Sequence, residues 1–128
     1  MKIITIIGNR PQFIKTTLVS KEIRKNDTEI IIHTGQHYDE NLSNIFFYEL
    51  NIPNPDINLG IAEKKQGQQT GLMIQAIEEI LINESPDCII VYGDTNSTLS
   101  GGIAGAKLNI PIVHIEAGLR SFNKKMPE

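Results

Sequence analysis

Apolar residues along this chain fall into two alternating rhythms: short unbroken runs, and longer stripes at helical spacing. Ile3-Ile4-Thr5-Ile6-Ile7 is a β-branched run of the kind found in strands buried on both faces. It stops at Gly8-Asn9-Arg10-Pro11, where Pro11 opens a helix whose first turn needs no proline N–H. Phe13, Ile14, Leu18, Val19 and Ile23 then recur at helical spacing. A second strand is expected over residues 29–33, ending in Thr34-Gly35-Gln36-His37. Residues 41–50 read as a helix, and residues 51–60, with Pro53 and Pro55, as a loop holding a short strand near Ile57. The next stripe is the clearest: Leu72, Met73, Ala76, Ile77, Ile80 and Leu81 share one helical face, and Pro86 marks its end. Cys88-Ile89-Ile90-Val91-Tyr92 predicts another buried strand, closed by Gly93-Asp94-Thr95. A small-residue helix over 97–108 contains Gly101, Gly102 and Gly105, which weaken an isolated helix and point to close approach to the sheet or to a ligand. The last strand is expected over 110–115, with Pro111 at its start, where a missing N–H is tolerated.

Strands alternating with helices in this way predict an α/β fold, a Rossmann-like parallel sheet flanked by helices on both sides. The 128 residues are one domain's worth and rule out two independent domains. A hydrophobic content of 40% with a net charge of −3 excludes disorder. No apolar run reaches membrane-spanning length, and the stretch after Met1 is too short for a secretory signal, so no membrane partner is expected. One cysteine, Cys88, excludes an internal disulfide and a Cys-rich zinc site, and the expected location is the cytoplasm. The balance of 12 basic and 15 acidic residues gives no footprint for nucleic acid.

Ligands of open parallel sheets bind beyond the carboxyl ends of the strands. Four polar clusters directly follow predicted strands: Gly8-Asn9-Arg10, Thr34-Gly35-Gln36-His37, Gly93-Asp94-Thr95 and Glu116-Ala117-Gly118. The first precedes a helix, whose free N–H groups favour an anion; Arg10 and Lys15 supply cationic groups for a phosphate, although a turn with two surface cations fits equally. Neither G-x-G-x-x-G after the first strand nor G-x-x-x-x-G-K-[ST] is present, so no dinucleotide cofactor and no P-loop chemistry is expected. Asp94 and Glu116 end successive strands, and neighbouring strands about 4.8 Å apart would turn both carboxylates to one pocket. Such a pair can divide into an acid and a base; the alternative is that Asp94 organises its turn and Glu116 caps a backbone N–H. His33 and His114 sit within predicted strands and read as structural, whereas His37 follows a strand and is the better site residue. A metal centre from His114, Asp94 and Glu116 lacks a tight ligand motif and is not expected. Cys88 reads as packing, and Lys124 and Lys125 as a solvated loop.

Taken in order, these clusters resemble the non-hydrolysing UDP-N-acetylglucosamine 2-epimerases and their relatives acting on similar UDP-sugars. The segments that carry the resemblance are Gly8-Asn9-Arg10-Pro11-Gln12-Phe13-Ile14-Lys15, Thr34-Gly35-Gln36-His37-Tyr38-Asp39, Tyr92-Gly93-Asp94-Thr95-Asn96-Ser97-Thr98 and His114-Ile115-Glu116-Ala117-Gly118-Leu119-Arg120-Ser121. Met126-Pro127-Glu128 is similar to the opening of the family's Pro-Glu-Glu-x-Asn-Arg motif. The resemblance implies the N-terminal half of a glycosyltransferase-B-like fold, with substrate held between two Rossmann-like halves and a homodimer as the assembly. It implies interconversion of UDP-N-acetylglucosamine and UDP-N-acetylmannosamine through loss of the C2 proton, elimination of UDP to 2-acetamidoglucal, and re-addition. By motif position Asp94, Glu116 and Glu128 correspond to the acidic catalytic set, and Arg10, Lys15 and His37 to substrate-binding positions.

Three departures stand out. Asn9 and Gln12 occupy places where the best-known members have Thr and Glu. Tyr38 stands where the best-known bacterial members carry an arginine that binds a regulatory second UDP-sugar, so that mode of activation is not expected. The tail Arg-Ser-Phe-Asn-Lys-Lys-Met-Pro-Glu is also similar to relatives that epimerise diacetamido-glucuronate UDP-sugars, which leaves the sugar open. Family members run to roughly three times this length. The resemblance therefore implies residues 1–128 as an incomplete N-terminal domain without its C-terminal domain, inactive alone. Two rival readings are a non-catalytic nucleotide-sugar-binding module and a glycosyltransferase of the same architecture.

Overall fold

In the computed structural model of the chain, residues 1–35, 54–63 and 65–125 are described. The helix expected over 41–50 lies outside them. The first strand, β1, spans Lys2–Ile7, and α1 follows over Arg10–Ile23. Asn9 caps α1: its backbone is extended and its side-chain oxygen accepts from the Gln12 N–H at 3.2 Å. Strands β2 (Thr28–His33) and β3 (Ile57–Asn58) come next, then the long helix α2 (Gln66–Glu84). Ser85 ends α2 in a left-handed conformation at φ 45°, with its N–H donated to the Leu81 carbonyl, and Pro86 prevents continuation. The remaining elements are β4 (Cys88–Tyr92), α3 (Asn96–Lys107) and β5 (Ile112–Ile115). Helix α3 starts with a reciprocal cap, in which the Thr95 and Thr98 side chains each bond the other's backbone N–H.

All pairings are parallel, and the strand order is β3-β2-β1-β4-β5. The chain thus builds outward from β1 to β3, then returns to place β4 on the other side of β1. Successive side chains alternate between the two sheet faces. On one face Ile3, Ile7, Ile31, Ile90 and Tyr92 pack with Phe13 of α1. On the other, Ile4, Ile6, Ile32, Ile89 and Val91 meet Met73, Ile77 and Leu81 of α2 and Ala104 of α3. No helix among the described residues is long and apolar enough to cross a membrane.

Two expectations about burial need correction. Ile14 and Leu18 are exposed on α1, while Gln12, Thr16 and Ser20 are buried. The reason is the sheet beneath. Glu29 lies buried on the face that α1 covers, and it accepts from Thr5 at 2.6 Å, from Ser20 at 2.9 Å and from Arg24 Nε at 2.9 Å. A buried carboxylate requires such donors, so α1 turns its small polar residues inward. The expectation for the glycines of α3 holds for two of three. A Cβ on Gly101 would stand 2.8 Å from Ile6 Cδ1 and 2.9 Å from Val91 Cγ1, and one on Gly105 2.5 Å from Ile89 Cδ1. Gly102 meets nothing within 4 Å.

Candidate active site at the strand switch point

The strand order reverses between β1 and β4, and the loops leaving these two parallel strands part there to open a crevice. A cleft of about 1030 Å³ occupies this place, bounded by the ends of β1, β4 and β5 and by the first turn of α3. Its polar rim includes Asn9, Gln12, Lys15, Asp94, Asn96, His114 and Glu116; its wall along α3 and β5 carries Leu99, Ile103 and Ile112.

Registration of β4 with β5 pairs Tyr92 with Ile115, so Gly93 and Glu116 leave the sheet side by side. Gly93 sits at φ 61°, and its N–H donates to the Ile115 carbonyl at 2.9 Å. Glu116 is also left-handed, at φ 64°, although it carries a side chain. Its carboxylate forms an ion pair and hydrogen bond with Lys15 Nζ, from a residue 101 positions earlier. Both side chains keep about a third or more of their surface open, so the pair is reachable from the cleft. Asp94 lines the same cleft in the turn after β4 and is exposed. Asp94 and Glu116 thus line one cleft, and Lys15 lines it with them.

His114 sits within a strand with its ring hydrogen-bonded, as expected of a structural residue, but it also reaches the cleft. Its ring is exposed on β5, forms part of the cleft, and bonds the Gly93 carbonyl through Nε2 at 2.6 Å. A carbonyl only accepts, so Nε2 carries the proton. His33 does behave as a structural residue: it is buried, stacks on Phe13 at 4.8 Å, and accepts from the Gly35 N–H through Nδ1 at 2.8 Å. Cys88 is core packing, and burial pushes its thiol pKa up. Lys124 and Lys125 are exposed. Arg10 is described in its backbone alone, at the start of α1; His37 and Glu128 lie outside the described residues.

Sequence reasoning missed the residues that hold the crevice together. Gln12 is buried, and its Oε1 accepts from the Gly8 N–H at 2.8 Å while Nε2 donates to the Tyr92 carbonyl at 2.7 Å and to Thr95 at 3.1 Å. One amide thus fastens the β1–α1 turn to the β4–α3 turn. Thr34 and Ser97 share a buried hydrogen bond of 2.8 Å beside Gly8, where a Cβ would fall 1.9 Å from Ser97 Oγ. The available signal was the i, i+4, i+8 spacing of Gln12, Thr16 and Ser20, a polar stripe beside an apolar one. Among the described residues no group of three or more His, Cys, Asp or Glu converges in a way that could hold a metal ion.

A doubly wound parallel sheet with a cation and two carboxylates lining its switch-point cleft defines a Rossmann-like binding half. Comparison with known proteins narrows the class. The family model described as UDP-N-acetylglucosamine 2-epimerase matches residues 21–128, and the chain belongs to that family. A UDP-N-acetylglucosamine 2-epimerase homolog of Methanococcus maripaludis is 63% identical over the whole chain, which covers 36% of that relative. The UDP-2,3-diacetamido-2,3-dideoxy-D-glucuronate 2-epimerase of Pseudomonas aeruginosa is 58% identical, again over the whole chain and 37% of the relative. The crystal structure of Methanocaldococcus jannaschii UDP-GlcNAc 2-epimerase in complex with UDP-GlcNAc and UDP superposes with a TM-score of 0.93 at 49% identity, over all of this chain and 36% of that one. The fold is thus of the glycosyltransferase-B type found in these epimerases. The chain spans about a third of the length of the curated relatives it matches.

Proposed function

We propose that this chain forms the N-terminal, Rossmann-like part of an epimerase that inverts C2 of UDP-N-acetylglucosamine, in the cytoplasm and as a homodimer. The observation that carries the proposal is the convergence of Lys15 and Glu116, far apart in sequence, beside Asp94 at the switch-point cleft. A second domain, supplied by the remaining length of the family, closes over the substrate from the other side. Alone, this part holds half of a site and turns over little, because catalysis needs both halves positioned at once.

The chemistry follows from what the cleft offers. A carboxylate takes the C2 proton, a C1–C2 double bond forms, and the anomeric C–O bond breaks to release UDP. Returning the proton to the opposite face and re-adding UDP gives the epimer. Asp94 and Glu116 are the two described carboxylates in reach for proton transfer, and the third acidic position proposed is Glu128. Lys15, with Arg10 and His37 as further proposed binding positions, meets the charge that grows on the departing diphosphate.

Proton NMR in heavy water tests the reading. The chain is mixed with a polypeptide carrying the remaining length of the M. maripaludis relative and given UDP-N-acetylglucosamine. Solvent deuterium at C2 together with the manno epimer is the expected result. Folded, associated parts that bind the nucleotide-sugar without exchange would leave a binding module in its place. The 58% identity to the P. aeruginosa relative favours a second substrate, a UDP-2,3-diacetamido-glucuronate. Preferential exchange of that sugar in the same assay would select it.

A further inference from the structure

Asn96, the first residue of α3, lines the cleft next to Asp94 and belongs to no group assigned so far. Its Nδ2 donates twice, to Gln66 Oε1 at 2.6 Å and to Gln69 Oε1 at 2.9 Å, both from the start of α2. The orientation of this amide chain is forced. Gln69 is buried, and its own Nε2 donates to the Glu63 backbone carbonyl at 3.0 Å. A carbonyl accepts only, so the nitrogen of Gln69 must face Glu63 and its oxygen must face Asn96. Asn96 in turn must present its nitrogen to Gln69. With both N–H bonds spent, the polar group Asn96 has left for a ligand is its carbonyl oxygen.

We infer that Asn96 is a specificity-determining residue whose Oδ1 accepts a hydrogen bond from an N–H or O–H donor on the sugar of the bound nucleotide-sugar. The inference rests on the nucleotide-sugar reading above and extends it. A 2-acetamido sugar carries such donors, an amide N–H at C2 and a hydroxyl at C3, beside the carbon whose proton Asp94 or Glu116 handles. The fixed amide also acts by exclusion. A sugar that places a carbonyl or carboxylate oxygen against Oδ1 meets a second acceptor that cannot rotate into a donor, because its nitrogen is held by two glutamines.

The test uses the reconstituted two-part assembly and compares UDP-N-acetylglucosamine with UDP, which has no sugar. In Asn96→Ala the KM for the sugar nucleotide should rise roughly three- to tenfold, the worth of one neutral hydrogen bond. Inhibition by UDP should stay unchanged. Gln66→Met, which removes one exposed anchor and leaves Asn96 in place, should give a smaller rise in the same direction. An unchanged KM in Asn96→Ala, with turnover intact, overturns the role of Asn96 and leaves the epimerase reading standing. Equal weakening of UDP and UDP-N-acetylglucosamine also overturns it, since the contact would then not be to the sugar. An unsubstituted assembly that binds neither ligand overturns the nucleotide-sugar reading and this role together.

Discussion

Glu116 carries a backbone cost that its position explains. A non-glycine residue at φ 64° pays about 1 kcal/mol or more, and such strain persists where the surroundings over-determine it. Here the turn swings the carboxylate back over the cleft toward Lys15. Glu116→Gly and Glu116→Ala both lose the ion pair, but only glycine relieves the backbone. Urea unfolding should therefore find the Gly variant more stable than the Ala variant by about 1 kcal/mol. Equal stabilities would show that the turn stores no strain. Tyr92 shows a different cost. Its ring is fully buried, its phenol oxygen has no partner among the described residues, and burial pushes its pKa up to about 12. The nearby Thr16 hydroxyl offsets this only in part, and the Glu29 carboxylate adds to it. The folded state thus holds the phenol proton more tightly than the unfolded state, whose pKa is near 10. This contribution to stability is complete below pH 10 and is lost as pH rises through about 12, on the order of 2–3 kcal/mol in all. Unfolding titrations at pH 9 and 11.5 should show about two thirds of that loss for the wild-type chain and a smaller one for Tyr92→Phe. At neutral pH Tyr92→Phe should be neutral or slightly stabilising, because it deletes an unpaired hydroxyl.

Helices α1 and α3 differ in how far their sequences betray them. That α1 starts at the Asn9-Arg10-Pro11 turn was legible from its proline, yet its buried face was not. Ile14 and Leu18 look like core and are not, because Glu29 on a distant strand demands hydroxyl donors from the same helix. A pattern within one helix cannot report a partner on another element. In α3 the glycines did announce close packing, and the structure separates them. Gly101→Ala drives a Cβ against the β-branched Val91 and Ile6 and should cost about 1–3 kcal/mol even after the gain in helix propensity. Gly102→Ala enters open space and should stabilise by roughly 0.5–1 kcal/mol. Thermal unfolding of the two single variants checks the sign of each, and a destabilised Gly102→Ala would contradict the packing.

Across the sheet, stability is unequally distributed. Strands β1, β2 and β4 are largely buried, whereas among the described residues β3 and β5 are the edges, and Ile112 and Val113 of β5 are exposed. Few buried contacts and an outer row of unpaired backbone groups lower the cost of local opening. Hydrogen exchange should therefore protect the amides of β1 and β4 far more than those of β5. Glu116 directly follows β5, so the turn that carries it hangs from a weakly secured strand. Equal protection of β4 and β5 would refute this ordering.

Much of the architecture was present in the order of residues. β-branched runs and helical stripes define alternating elements, and the polar clusters after the strands fall at one rim because every strand in a parallel sheet ends at that rim. That Asp94 and Glu116 line one cleft accords with the same rule. Folding added what no local pattern contains. It laid β4 beside β1 and so opened the crevice, brought Lys15 across to Glu116, and used the Gln12 amide to lock two turns that lie 80 residues apart. It also set His114, on its strand, at the cleft. These are long-range contacts between polar side chains, whose partners are chosen by strand order and register rather than by periodicity. A hydrogen bond between distant residues leaves no rhythm in the sequence, and only the packed chain brings its donor and acceptor within reach.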